Sequence, residues 1–93
     1  MFREVTVRGG RGSLLWGYRA AATCTAWTIA RHGREWRLTA TCDRVDPVQL
    51  RMAMRVKELL FTAPRDRGRW CWEVTDLTVG TREVRATLGR PLQ

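Results

Sequence analysis

Apolar and polar residues alternate along much of the chain, and the alternation predicts strands. In Arg3–Arg8, Val5 and Val7 share one side with Arg3, while Glu4, Thr6 and Arg8 take the other. Gly9-Gly10-Arg11-Gly12 predicts a turn, because three glycines in four residues hold a regular element only at high entropic cost. Leu14, Trp16 and Tyr18 then alternate with Leu15, Gly17 and Arg19. That predicts a second strand, with a bulge near Gly17 and a bend near Ala20–Ala22.

Thr23–Asp43 carries the clearest pattern. Two Thr-rich, Trp-containing runs flank His32-Gly33, which predicts a hairpin turning on those two residues. The register then pairs Ile29 with Trp36, Trp27 with Leu38, Thr25 with Ala40 and Thr23 with Cys42 on an apolar side. Ala30 with Glu35, Thr28 with Arg37 and Ala26 with Thr39 fall on the other. A slip of one residue would destroy this sorting.

Asp46-Pro47-Val48-Gln49 predicts the start of a helix. Asp46 serves as cap, Pro47 suits the first helical position, and Gln49 completes a capping box. The helix is expected to reach about Thr62, with Pro64 preventing much more. Val48, Met52, Ala53, Val56, Leu59, Leu60 and Ala63 make one broad apolar face, and Leu50, Met54 and Phe61 make a second strip. That arc is wider than packing on one sheet needs, so Leu50, Met54 and Phe61 are the expected oligomer or partner face.

After the charged loop Arg65-Asp66-Arg67-Gly68-Arg69, Trp70–Val79 and Arg82–Leu88 read as strands around Gly80-Thr81. Leu77 then faces Val84, Thr75 faces Ala86, and Asp76 faces Arg85 on the opposite side. Trp70, Trp72 and Val74 conflict with this register unless a bulge near Thr75 or Asp76 switches sides. The expected fold is a single α+β domain over residues 1–93. It is an antiparallel sheet of about four or five strands with one packed helix, in the order strands, helix, strands.

Charge points to a class of partner only through its lopsidedness: the net charge is +8, and Lys57 is the one lysine among 17 basic residues. Guanidinium groups bind phosphate and carboxylate bidentately and stack on aromatic faces. The expected partner is therefore a nucleic acid or an acidic protein surface. An apolar content of 44% excludes a disordered chain. No apolar run approaches the roughly 18 residues of a membrane span, and the N-terminus lacks the plan of a signal peptide. No membrane partner is expected.

Three cysteines, Cys24, Cys42 and Cys71, make an odd set without a Cys-x-x-Cys pair. They read as small buried hydrophobes in a reducing, cytoplasmic setting rather than a disulfide framework or zinc site. His32 is the single histidine, placed in a tight turn, and no phosphate-cradling loop is present. The expectation is a non-enzyme with no cofactor and no metal.

Arg8-Gly9-Gly10-Arg11-Gly12 has the form of one Arg-Gly-Gly unit, and a plain turn explains it more simply. Arg34-Glu35-Trp36-Arg37 and Arg69-Trp70-Cys71-Trp72 interleave arginine with tryptophan. Trp27 and Trp36 are assigned to the core, and Trp70, Trp72 and Trp16 to a candidate binding face. The candidate binding residues are Arg8, Arg11, Arg34, Arg37, Arg69, Trp70, Trp72 and Arg85.

The layout of the Thr23–Asp43 hairpin, the Asp46-Pro47 helix opening with Met52-Ala53-Met54, and the strand pair after Pro64 resembles small phage-encoded inhibitors of the anti-CRISPR kind. The resemblance implies a short non-enzymatic protein that occupies a surface of a host protein or nucleoprotein complex, in the host cytoplasm. Many such inhibitors are acidic mimics of DNA, and a +8 chain departs from that. The resemblance carries over no functional residue. Two further readings stand beside it: a small Arg/Trp-rich nucleic-acid-binding module, and an oligomerising phage structural protein, a homodimer through Leu50, Met54 and Phe61.

Overall fold

A computed structural model describes residues 6–92. Seven strands and one helix follow in order: β1 (Thr6–Gly9), β2 (Gly12–Trp16), β3 (Arg19–His32), β4 (Glu35–Val45), α1 (Pro47–Arg55), β5 (Leu59–Pro64), β6 (Arg69–Val79) and β7 (Glu83–Pro91). β2, β3 and β4 form one antiparallel meander, and β5, β6 and β7 form another. The two join at both edges. β2 pairs with β5, with Leu14 opposite Phe61, and β4 pairs with β7, with Leu38 opposite Ala86.

Six antiparallel strands therefore close into a barrel, which corrects the expected open sheet of four or five strands with a packed helix. Alternation of apolar and polar residues is the same in a flat sheet and in a closed one. Closure depends on pairings between residues about half the chain apart, which local pattern does not report. Closing the six strands also removes most of the exposed edges that an open sheet must protect, leaving β1 and the end of β5 with one side unpaired among the described residues.

β1 lies against β3 beyond the end of β2, with Gly9 opposite Trp27 and Gly12 opposite Cys24. β1 and β2 thus run along one edge of β3, parted by Gly10 and Arg11. Gly9 and Gly12 belong to strands rather than to a turn. Gly17, at φ 63°, and Tyr18 make the turn into β3 where a bulge was expected. Residues 3–5 of the first predicted strand lie outside the described residues.

The core fills the barrel with Leu14, Trp27, Ile29, Leu38, Phe61, Trp72, Val74, Val84 and Leu88. α1 covers the end where β4 finishes and β5 begins, burying Leu50 and Ala53. Asp46 caps it as predicted: its Oδ1 accepts from the Gln49 backbone N–H at 3.1 Å, with Pro47 at the first turn. The helix stops at Arg55, short of the expected Thr62. Lys57 turns left-handed at φ 57°, its N–H donates to the Met54 carbonyl, and the Glu58 N–H donates to the Ala53 carbonyl. That is a Schellman closure with lysine where glycine is usual. Leu59–Pro64 then becomes β5, so Phe61 is a fully buried barrel residue and not part of a helical strip. None of the described helices is long and apolar enough to cross a membrane.

Both predicted hairpins form, each with a shifted turn. In the first, His32 opposes Glu35, so Gly33 and Arg34 make the loop and Ile29 pairs with Leu38. In the second, Val79 opposes Val84 and Leu77 opposes Ala86. Each pairing moves by two positions, and a shift of two leaves the same residues facing inward. The bulge required near Thr75 is present: Val74 opposes Leu88 while Asp76 opposes Thr87. It keeps Trp72 and Val74 inside together with Leu77. A second bulge at Thr25 sets Cys24 opposite Cys42 and leaves Thr25 exposed, so Thr23 and Thr25 do not join the apolar side.

Candidate arginine–tryptophan rim

The chain directions place two hairpins at the end of the barrel opposite α1. β3 and β5 run toward that end, and β4 and β6 leave it. The β3–β4 hairpin brings Arg31, Arg34 and Arg37 there against one carboxylate, Glu35. The β5–β6 hairpin brings Arg65, Arg67 and Arg69 against one carboxylate, Asp66. All six guanidinium-bearing residues are exposed.

The two hairpins share a local design. Each has an arginine five residues before a tryptophan, with a left-handed glycine between them: Gly33 at φ 63° and Gly68 at φ 95°. Folding the turn back lays each arginine over its own tryptophan. The Arg31 guanidinium sits 5.8 Å from the Trp36 ring centroid, and that of Arg65 sits 4.6 Å from Trp70. Arg31 Nε also donates to the Gly33 carbonyl at 3.0 Å, which holds it to the turn. Both tryptophans are half-buried, anchored in the barrel with part of the ring at the surface.

A cleft of about 560 Å³ opens beside the second hairpin. Arg8 and Gly9 of β1 border it on one side, Pro64 to Arg67 and Trp70 on the other, with Trp27 beneath. It lies where β1, paired with β3 alone, leaves the last residues of β5 without a neighbour on that side among the described residues. Arginines and an aromatic ring thus meet at a concavity, a combination suited to a planar anionic ligand.

Of the expected binding residues, Arg8 and Trp70 line this cleft, and Arg34, Arg37 and Arg69 stand on the same end. Arg11 is exposed in the β1–β2 link, where its carbonyl accepts from Trp27 Nε1 at 3.0 Å. Arg85 points to the outer sheet face, in a shallow groove of about 290 Å³ with Thr28, Thr39 and Asp76. It is held by Glu83 at 2.9 Å, as Arg37 is by Glu35 at 3.2 Å.

Trp72 leaves the expected binding face altogether. It is buried, with its ring centroid 5.6 Å from that of Trp36, because the bulge at Thr75 keeps its side of β6 inward. Trp16 donates to Glu58 at 3.2 Å near the helix end, away from the rim.

Leu50 and Phe61 are fully buried within the chain and Met54 is half-buried, so the three offer no shared outer face. The exposed apolar residues of the helix region are instead Val48, Met52 and Val56. Arg31, Arg65 and Arg67 were not among the expected binding residues, and Trp36 was assigned wholly to the core. The signal that marks them is the repeated Arg-x-x-x-x-Trp spacing across two turns.

Among the described residues, no three metal-ligating side chains lie together, and His32 is exposed at the end of β3. Comparison with protein-family models, characterised proteins and solved structures returned no match to this chain.

Proposed function

We propose that this protein is a non-enzymatic cytoplasmic binding module that takes single-stranded nucleic acid at the arginine–tryptophan rim. One observation carries the reading. Two hairpins at one end of the barrel each stack an arginine over a half-buried tryptophan, and the second of them borders a cleft edged also by Arg8 and Arg67. Bases stack on aromatic rings and guanidinium planes, and phosphates pair with the outer arginines. A single strand exposes its bases for such stacking, whereas a duplex hides them.

The test is a titration of labelled single- and double-stranded oligonucleotides across a salt series. Four phosphate contacts on a single strand predict a log–log slope of about −3. Trp70→Ala should weaken single-strand binding by about 1–3 kcal/mol. Affinity at or weaker than micromolar in physiological salt, unmoved by Trp70→Ala, would overturn the reading. Retention of a host protein complex that resists nuclease and depends on Arg31 and Arg65 would instead support the phage-inhibitor reading, with the rim docked on an acidic protein surface.

A further inference from the structure

β3 and β4 bring two of the three cysteines together inside the barrel wall. Thr25 is the extra residue of the bulge, and it moves Cys24 directly opposite Cys42. Their Sγ atoms stand 3.6 Å apart, and both side chains are buried. Directly opposed residues on antiparallel strands have Cα atoms about 4.5–5.5 Å apart. That falls within the span of about 4.4–6.8 Å that a disulfide bridges. Closing the remaining gap to a bond length of about 2.05 Å needs movement of about 1.5 Å, within reach of side-chain rotation.

We infer that Cys24 and Cys42 are a redox modification site, a dithiol that closes to an intrachain disulfide by exchange with a small-molecule disulfide. In the first step the Cys42 thiolate attacks one sulfur of the reagent. The reagent's S–S bond breaks, and one small thiolate leaves and takes up a proton. In the second step the Cys24 thiolate attacks the Cys42 sulfur of the mixed disulfide, and the second small thiol departs protonated. The protein loses two electrons and two protons, and the reagent is reduced to two thiols.

The surroundings set the pace. Burial pushes both thiols above their usual range, Cys24 the further, while the hydrogen bond from Cys24 partly offsets the rise at Cys42. Within the closed wall Cys42 is thus the more readily ionised of the two. The thiolate is the reactive form, so the closed barrel slows exchange, which proceeds as the chain folds or when the wall opens. Cys71 lies on β6 opposite Thr62 and stays single.

The experiment refolds the chain from denaturant in buffers of oxidised and reduced glutathione, so that access to the thiols does not limit the reaction. Free thiols are then alkylated, and intact mass and peptide mapping are read. The expected product is lighter by two hydrogens, carries one alkyl group on Cys71, and yields a cross-linked peptide pair containing Cys24 and Cys42. In Cys71→Ala the bridge should form with no alkylation, and in Cys24→Ala the two remaining cysteines should both be alkylated. Circular dichroism confirms that each product is folded. Three alkylated cysteines in folded chain refolded where oxidised glutathione predominates would overturn the inference. So would glutathione adducts without a bridge, or a bridge that includes Cys71.

Discussion

Gly9 lies directly against the indole of Trp27, so close that a Cβ on Gly9 would stand well within van der Waals contact distance of the ring atoms. The same indole and Phe61 crowd Gly12, where a Cβ would meet ring atoms at 3.0–3.1 Å. Trp27 in turn packs edge-on to Phe61, with centroids 5.3 Å apart, and donates to the Arg11 carbonyl. The glycines that read as a turn are the places where the wall thins to admit a large core ring.

Gly9→Ala should therefore cost about 1–3 kcal/mol, the range for forcing extra volume into a packed site. Gly10→Ala is the control, because its Cβ would meet only the Thr25 carbonyl oxygen at an ordinary 3.7 Å. Thermal unfolding of the two variants checks the contrast, and equal midpoints would contradict the packing of Trp27.

Lys57 closes the helix in a conformation that costs a residue with a Cβ about 1–2 kcal/mol. Lys57→Gly should raise stability by about 1 kcal/mol. Urea denaturation is the measurement, and a variant less stable than the parent would contradict the left-handed closure.

The Thr23 hydroxyl donates to Asp43 Oδ1 at 2.5 Å and holds that carboxyl below its usual range. A depressed folded value stabilises above the ordinary carboxylate pKa of about 3.9, and the benefit is lost as pH falls through the folded value. Thr23→Val should move the Asp43 titration, followed by NMR, back up toward the ordinary range. The stability gap between parent and variant should be largest near neutrality and shrink in acid.

Removing one rim arginine that contacts phosphate should reduce the salt slope for single-stranded oligonucleotides by about 0.7. Arg34→Ala and Arg67→Ala, outer arginines of the two hairpins, should each do so, with additive effect in the double variant. Arg85→Ala, on the outer face and paired with Glu83, should leave the slope unchanged.

Facing patterns were legible in the sequence, and the global arrangement was not. Ile29, Leu38, Leu77 and Ala86 face inward as their alternation predicts, because a turn displaced by one residue shifts pairing by two and preserves the side. The bulge at Thr75 was legible as a conflict between Trp72 and Leu77 in one strand. Leu59–Pro64 misled because a short apolar run fits a helix face as well as a buried strand, and the left-handed Lys57 that separates them has no glycine to announce it. At the rim, Trp70 and several arginines were legible by composition. Arg31 and Arg65 carried a local signal in their spacing to Trp36 and Trp70 across each turn, whereas the placement of the two hairpins at one end of a barrel was not legible.

The division of the barrel into two contiguous meanders has a consequence for how the chain folds. Hairpin contacts within residues 12–45 and within residues 59–91 join near neighbours in sequence, and such contacts close early at small entropic cost. The seams between β2 and β5 and between β4 and β7 join residues about half the chain apart and close late. Folding is then an intramolecular docking of two preassembled half-shells, with α1 as the tether between them. A backbone cut in the Val56–Glu58 link would leave each half-shell whole, and the two pieces should reassemble as a bimolecular complex.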